Sequence, residues 1–200
     1  VYAAISPSLA TGRYAHSRRI ACDAFKSISD TKYTLNSVNY GWWQTYLYNF
    51  IDADHVVLSN QSEGENRARI LSSVITGTFI TGDDFSRNGP WSGRAMKWYQ
   101  QKDLLDIVKN GKAFEPIEGD TDKGASTIFA RKIGNYYYLA VFYYGSTPVK
   151  IKIDAARIGL SLNQTYKGAE LFKSRPFLLH GSTTIAFSSA DAALYKIKPN

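Results

Sequence analysis

The chain has one cysteine, Cys22, in 200 residues. That excludes an intrachain disulfide framework and any cysteine-built metal cluster. No apolar stretch approaches the ~20 residues that a membrane-spanning helix needs. Runs of basic residues are also missing, although the formal net charge is +7. The densest groups are Arg18-Arg19, Arg67 with Arg69, and Lys150-Ile151-Lys152. Such a scattered excess describes a solvated basic surface, so neither nucleic acid nor a membrane is expected as partner. There is no visible leader, no internal repeat and no low-complexity segment. The sequence opens on Val1 rather than methionine. A removed leader would account for that and favours a periplasmic or secreted location without fixing one; a piece of a longer protein would open the same way.

What is present is ordinary in its totals, 44% hydrophobic and 20% charged, but rich in rings, with 14 Tyr, 10 Phe and 4 Trp. Such rings suit strand faces and sugar-stacking platforms alike. Up to about residue 112, short apolar strands alternate with helical periods. Strands are expected at 1–6, 18–22, 55–58 and 78–81. Helices are expected over 31–50, with Asp30 as N-cap, over a stretch opened by the capping box Ser62-Glu63-Gly64-Glu65, and over 92–109, with Gly111 just past the end. This alternation predicts a parallel sheet covered by helices. After residue 113 the period becomes two. Strands are expected at 126–132, 136–143, 149–153, 165–172, 183–187 and 192–197, with turns at Gly134-Asn135, Gly145-Ser146 and Gly181-Ser182. That pattern predicts an antiparallel sandwich.

In parallel α/β architecture, chemistry sits where strands end. Asp23 follows the apolar Ile20-Ala21-Cys22 and meets that condition, as do Asp83 and Asp84 after Thr81. Asp52 and Asp54 precede the expected third strand and read as loop-capping residues at the opposite face. On residue types alone, Arg19 with Asp23 reads equally as a surface ion pair or a helix cap. His16, a lone histidine, reads as a loop residue. Nothing resembles a metal-ligand cluster.

The segment RRIACDAF resembles the general-acid segment of the melibiase glycoside hydrolases, the α-galactosidase and α-N-acetylgalactosaminidase group. There an arginine precedes the acid/base aspartate by four residues, as Arg19 precedes Asp23. IDADHVVL resembles that family's N-D-P-D-M-L segment, and GENRARILSSVITGTFITGDDF its last helix and strand, which close on G-N-D-L. STIFARKIGNYYYLAVFYYGS and TYKGAELF resemble its C-terminal β-sandwich. Ala53, Asp83 and Glu170-Leu171-Phe172 depart from the family's proline, asparagine and D-L-W.

The resemblance implies an α/β plus all-β fold, the C-terminal half of a (β/α)8 barrel followed by an antiparallel β-sandwich. Residues 1–112 would hold barrel strands five to eight and residues 113–200 the sandwich. It implies Asp23 as general acid/base, with Arg19, Ser6, Ser8, His16 and Asp83 as substrate contacts and no cofactor or metal. A general acid must hold its proton, so Arg19 is expected to grip sugar rather than to pair tightly with Asp23. The family's nucleophile segment, Y-L-K-x-D, does not occur. The chain would therefore be inactive alone against an α-galactoside-type carbohydrate. It would associate either with the missing N-terminal barrel half or with itself. The alternative is a non-catalytic carbohydrate-binding or structural β-sandwich module, with Tyr136-Tyr137-Tyr138 and Tyr143-Tyr144 as its evidence.

Overall fold

The computed structural model describes residues 1–4, 9–24, 27–118 and 124–200. Its N-terminal part is built on a small parallel sheet. β1 (Tyr2–Ala3), β2 (Ser17–Arg19) and β3 (Phe50–Asp52) lie side by side in that order, with Tyr2 opposite Ser17 and Arg19 opposite Asp52. A parallel bridge between Val56 and Thr81 repeats the pattern further along, closed by Val56 N–H to Ile80 O at 2.6 Å. The third strand thus lies at Phe50–Asp52 rather than at 55–58, and 78–81 contributes only that bridge.

The shift begins in the helix before it. α1 (Ile28–Gly41) starts ahead of Asp30, because Ser27 is the cap. Ser27 Oγ accepts from the Asp30 amide at 3.2 Å, and the Asp30 carboxylate accepts from the Ser27 amide at 3.0 Å. Asp30 therefore completes the box that it was expected to open. The helix stops at Gly41 and a 3-10 turn, Trp42–Tyr46, follows. That early stop frees Phe50–Asp52 to extend.

α2 (Glu63–Val74) carries the expected box, with Ser62 Oγ accepting from the Glu65 amide at 3.2 Å and Glu65 returning the bond at 3.0 Å. Its residues from Asn66 to Val74 are all buried. The single helix expected over 92–109 is two, α3 (Pro90–Tyr99) and α4 (Lys102–Asn110). Gln101 between them is extended, and its side-chain amide donates to Leu171 O at 2.7 Å. Gly111 ends α4 in the left-handed region, φ 70°, where a Cβ would come 2.7 Å from the Phe50 ring.

The remaining strands are β4 (Glu115–Glu118), β5 (Ile128–Ile133), β6 (Tyr136–Tyr143), β7 (Val149–Asp154), β8 (Thr165–Glu170), β9 (Arg175–His180), β10 (Ser182–Phe187) and β11 (Asp191–Pro199). All pair antiparallel, in a six-stranded sheet of order β4-β5-β6-β11-β8-β9 and a two-stranded sheet of β7 and β10. Gly181, at φ 62°, turns the chain out of one sheet into the other.

Alternation along the central strands sorts side chains to two cores. Tyr138, Ala140 and Phe142 with Ala192 and Leu194 face the helices and pack with Leu35, Val38, Leu71, Val74 and Trp98. Leu139 and Val141 with Ala193, Tyr195 and Ile197 face the other way, onto Ile153, Leu160 and Phe187. Full burial of one such Leu or Val stabilises by about 1.5–3 kcal/mol. The six-stranded sheet is thus covered on both sides, and the helices share a core with it. A forked ion pair crosses the same junction, with Arg67 Nε and Nη2 on the two Asp191 oxygens at 2.7 and 3.0 Å. Among the described residues, no helix is long and apolar enough to cross a membrane.

Candidate functional site

Because β1, β2 and β3 run parallel, their C-terminal ends share one edge, and Arg19 and Asp52 meet there as register partners. Beyond that edge the chain makes a turn that only other side chains can hold. Asp54 adopts φ 74°, a left-handed conformation that strains a residue with a side chain. Arg69, buried on α2, pins this turn from behind. Its Nη2 donates to the carbonyls of Ala53 (2.9 Å), Asp54 (2.9 Å) and His55 (2.6 Å). Burial pushes the Arg69 guanidinium down to about 10, and it remains a cation at neutral pH.

The turn delivers a buried carboxylate to Arg19. Asp54 Oδ1 accepts from Arg19 Nη1 at 2.8 Å and lies 3.0 Å from His55 Nδ1, while Oδ2 accepts from the Ala24 amide. Burial pushes the Asp54 carboxyl up, but the Ala24 and His55 amides and the His55 ring outweigh it and hold it below the usual range. Asp52 goes the other way. Burial lifts it above that range, although Tyr2 OH donates to it at 2.6 Å and the Asp54 amide at 2.9 Å. Tyr2 is itself raised, by burial and by that carboxylate.

Arg19 also reaches forward. Its Nη2 donates to Asp23 Oδ1 at 2.6 Å, so one guanidinium joins two carboxylates, one 4% exposed and one 56% exposed. Burial pulls the Arg19 guanidinium down, and the bonds to Asp54 and Asp23 more than restore it. Asp23 lines an open hollow of about 620 Å³ with Arg18, Arg19, Cys22, Tyr33 and Ser37. The arrangement supplies one accessible carboxyl, one anchored cation and the hydroxyls of Tyr33 and Ser37 for a polar ligand.

The sequence-based candidates fare differently. Asp23 lines the hollow. Arg19 does too, but it pairs closely with Asp23, against the expectation that the two would not pair tightly. His16 stands at the opposite end of β2, its Nδ1 2.7 Å from the Val1 amine nitrogen, and does not line the hollow. Asp83 spends its two oxygens on the amides of Leu58 (2.7 Å) and Ser59 (3.0 Å), clamping a loop. Ser6 and Ser8 lie outside the described residues.

Asp52 and Asp54 are at the site's end of the sheet, not the opposite face. The reversal follows from the strand's true position at Phe50–Asp52. Reading Ile51, fully buried, as the strand would have found them, since I-D-A-D then parallels I-A-C-D. Arg69 carried no such signal. No group of three His, Cys, Asp or Glu placed to hold a metal occurs among the described residues.

The fold is one known from glycoside hydrolases. Over 98% of its length the chain superposes on a GH27 β-L-arabinopyranosidase from Geobacillus stearothermophilus, with a TM-score of 0.82 and 12% identity, covering 49% of that enzyme. α-Galactosidase I from Mortierella vinacea matches with a TM-score of 0.77 at 12% identity, over 96% of this chain and 55% of that one. An α-galactosidase from Saccharomyces cerevisiae gives 0.73 and 12%, over 95% and 62%. A variant of the Geobacillus enzyme has been solved with arabinose and the Saccharomyces enzyme with raffinose. No family model and no curated protein matches the sequence. The chain thus spans about half the length of the GH27 enzymes whose fold it shares, as the sequence resemblance to a C-terminal part implied.

Proposed function

We propose that this chain is the C-terminal portion of a retaining α-galactosidase-like glycoside hydrolase, with Asp23 as its general acid/base. On this reading residues 1–112 are barrel strands five to eight with their helices, and residues 113–200 are the sandwich. The observation that carries the proposal is that Asp23 is the one carboxylate among the described residues that lines the hollow at the sheet's C-terminal edge.

Retention needs two carboxyls about 5–5.5 Å apart, one to attack the anomeric carbon and one to protonate the leaving oxygen and later deprotonate water. Asp52 and Asp54 are buried and bound by Tyr2, Arg19 and backbone amides, so neither can attack. On this reading the nucleophile comes from a segment beyond this chain, and the chain alone is inactive. Arg19, anchored on Asp54, holds Asp23 at the hollow's wall. A sugar hydroxyl that takes the Nη2 donor frees Asp23 to exchange protons with the glycosidic oxygen.

The same reading explains the exposed rings of this half. Tyr2, Tyr14, Tyr33 and Tyr40 are each more than 40% exposed, and β1 ends its sheet. Open strand edges beside apolar surface call for a partner: the missing barrel half or a second copy.

A chromogenic α-galactoside tests the reading. The intact protein should turn it over with retention, Asp23→Asn should lower its rate by about 10²–10⁴-fold, and the 200-residue chain alone should be inert. Turnover by the chain alone, or an undiminished rate in the Asp23 variant, refutes it.

A further inference from the structure

The helices cover only part of the sheet face on which they pack. Beyond α4, the far ends of β6, β11, β8 and β9 leave a hollow of about 640 Å³ open to solvent. Its floor is apolar, formed by Ala169, Pro176 and Leu178, the last 60% exposed. Three ammonium groups border it. Lys196 is already matched, with Nζ on Asp103 Oδ1 at 2.7 Å and 4.4 Å above the Tyr136 ring. Lys198 and Lys167 stand directly opposite each other across the β11–β8 pair, both exposed. Neither has a carboxylate partner among the described residues; Lys198 only approaches the Tyr136 ring, at 5.9 Å. Like charges directly opposed in an antiparallel pair weaken it. An uncompensated lysine pair beside an exposed apolar floor complements an anion that also has an apolar face.

We infer that this hollow binds an acidic oligosaccharide, one bearing uronic acid. The C–H face of a pyranose would rest on Pro176 and Leu178, with its carboxylate between Lys167 and Lys198. Choosing a sugar over an acidic peptide rests on the carbohydrate reading above and on β9. A peptide would dock here most readily by adding a strand to the sheet. β9 is the edge strand, and Pro176 offers no N–H there, which breaks such a ladder.

Calorimetric titration of the chain with a galacturonic acid trimer, a neutral galactose trimer and a glutamate trimer decides the matter. The galacturonate trimer should bind, more weakly as salt rises. The double variant Lys167→Gln with Lys198→Gln should lose about tenfold or more in affinity while its thermal midpoint stays at or above the parent's, because the cross-strand repulsion is removed. Asp23→Asn should leave the affinity intact, so failure of the hydrolase reading and failure of this one are separable. Absence of galacturonate binding at millimolar ligand overturns the inference. So does equal binding of either control trimer, or full affinity in the double variant.

Discussion

The two halves of this molecule are held together by different physics. In the antiparallel half, strands of up to nine residues pair in register, and alternate side chains fill a core on either face of one sheet. In the parallel half the strands are two or three residues long. Backbone pairing that short cannot fix a turn such as the one at Asp54, so a charged network of Arg19, Asp52, Asp54 and Arg69 does so. The first half is specified by apolar burial, which is non-directional and tolerant. The second buries apolar helix faces as well, but the ends of its strands depend on hydrogen bonds to buried charges, which are directional and fail when one partner is lost. It is also where the candidate chemistry lies.

This contrast can be broken in a graded way. Arg69→Met should have the largest effect, about 3–5 kcal/mol in urea unfolding, because three carbonyls lose their donor and a buried network loses its cation. Hydrogen exchange should then quicken around residues 51–58 while the β6 and β11 amides stay protected; uniform loss would show that the two halves unfold as one.

Asp191→Asn cuts the fork that ties α2 to β11 and should cost about 2–3 kcal/mol at neutral pH. Burial pushes the Asp191 carboxyl up, but Arg67 and Lys173 outweigh it and hold it below the usual range. Its stabilisation is therefore complete above the ordinary carboxylate range and lost as pH falls through the lowered folded value. Acid titration of the variant should show a correspondingly shallower loss of stability.

Ser62→Ala removes a helix cap and should cost about 1 kcal/mol. Asp52→Asn should have the smallest effect, under about 1 kcal/mol at neutral pH, since an ionised carboxyl is already disfavoured there. Its raised folded value reverses the sign. The cost of ionising Asp52 is present above that value and relieved as pH falls through it, so the variant should gain less from mild acidification than the parent.

Much of the fold was legible. The Ser62–Glu65 box, the left-handed Gly111 and Gly181, and the span of β6 are all local, since capping, turn conformation and two-residue alternation act over a few positions. β9, reading R-P-F-L-L-H, was missed because Pro176 masks a strand that survives only as a sheet edge. The break between α3 and α4 falls at two glutamines, neither of which interrupts a helix by itself.

At the site, the residue types around Asp23 placed it past a strand's end, although β2 stops at Arg19 rather than at Cys22. The partners of Arg19 were decided elsewhere. Asp54 lies 35 positions away and reaches Arg19 only because β3 lies beside β2 and Arg69 bends the chain behind it. The sequence by itself determined the Ser62 cap, the glycine turns and the span of β6, because those preferences are short-ranged; it did not determine where α1 stops or where β3 lies. Which charges meet depends on strand adjacency, and only the tertiary structure could decide that.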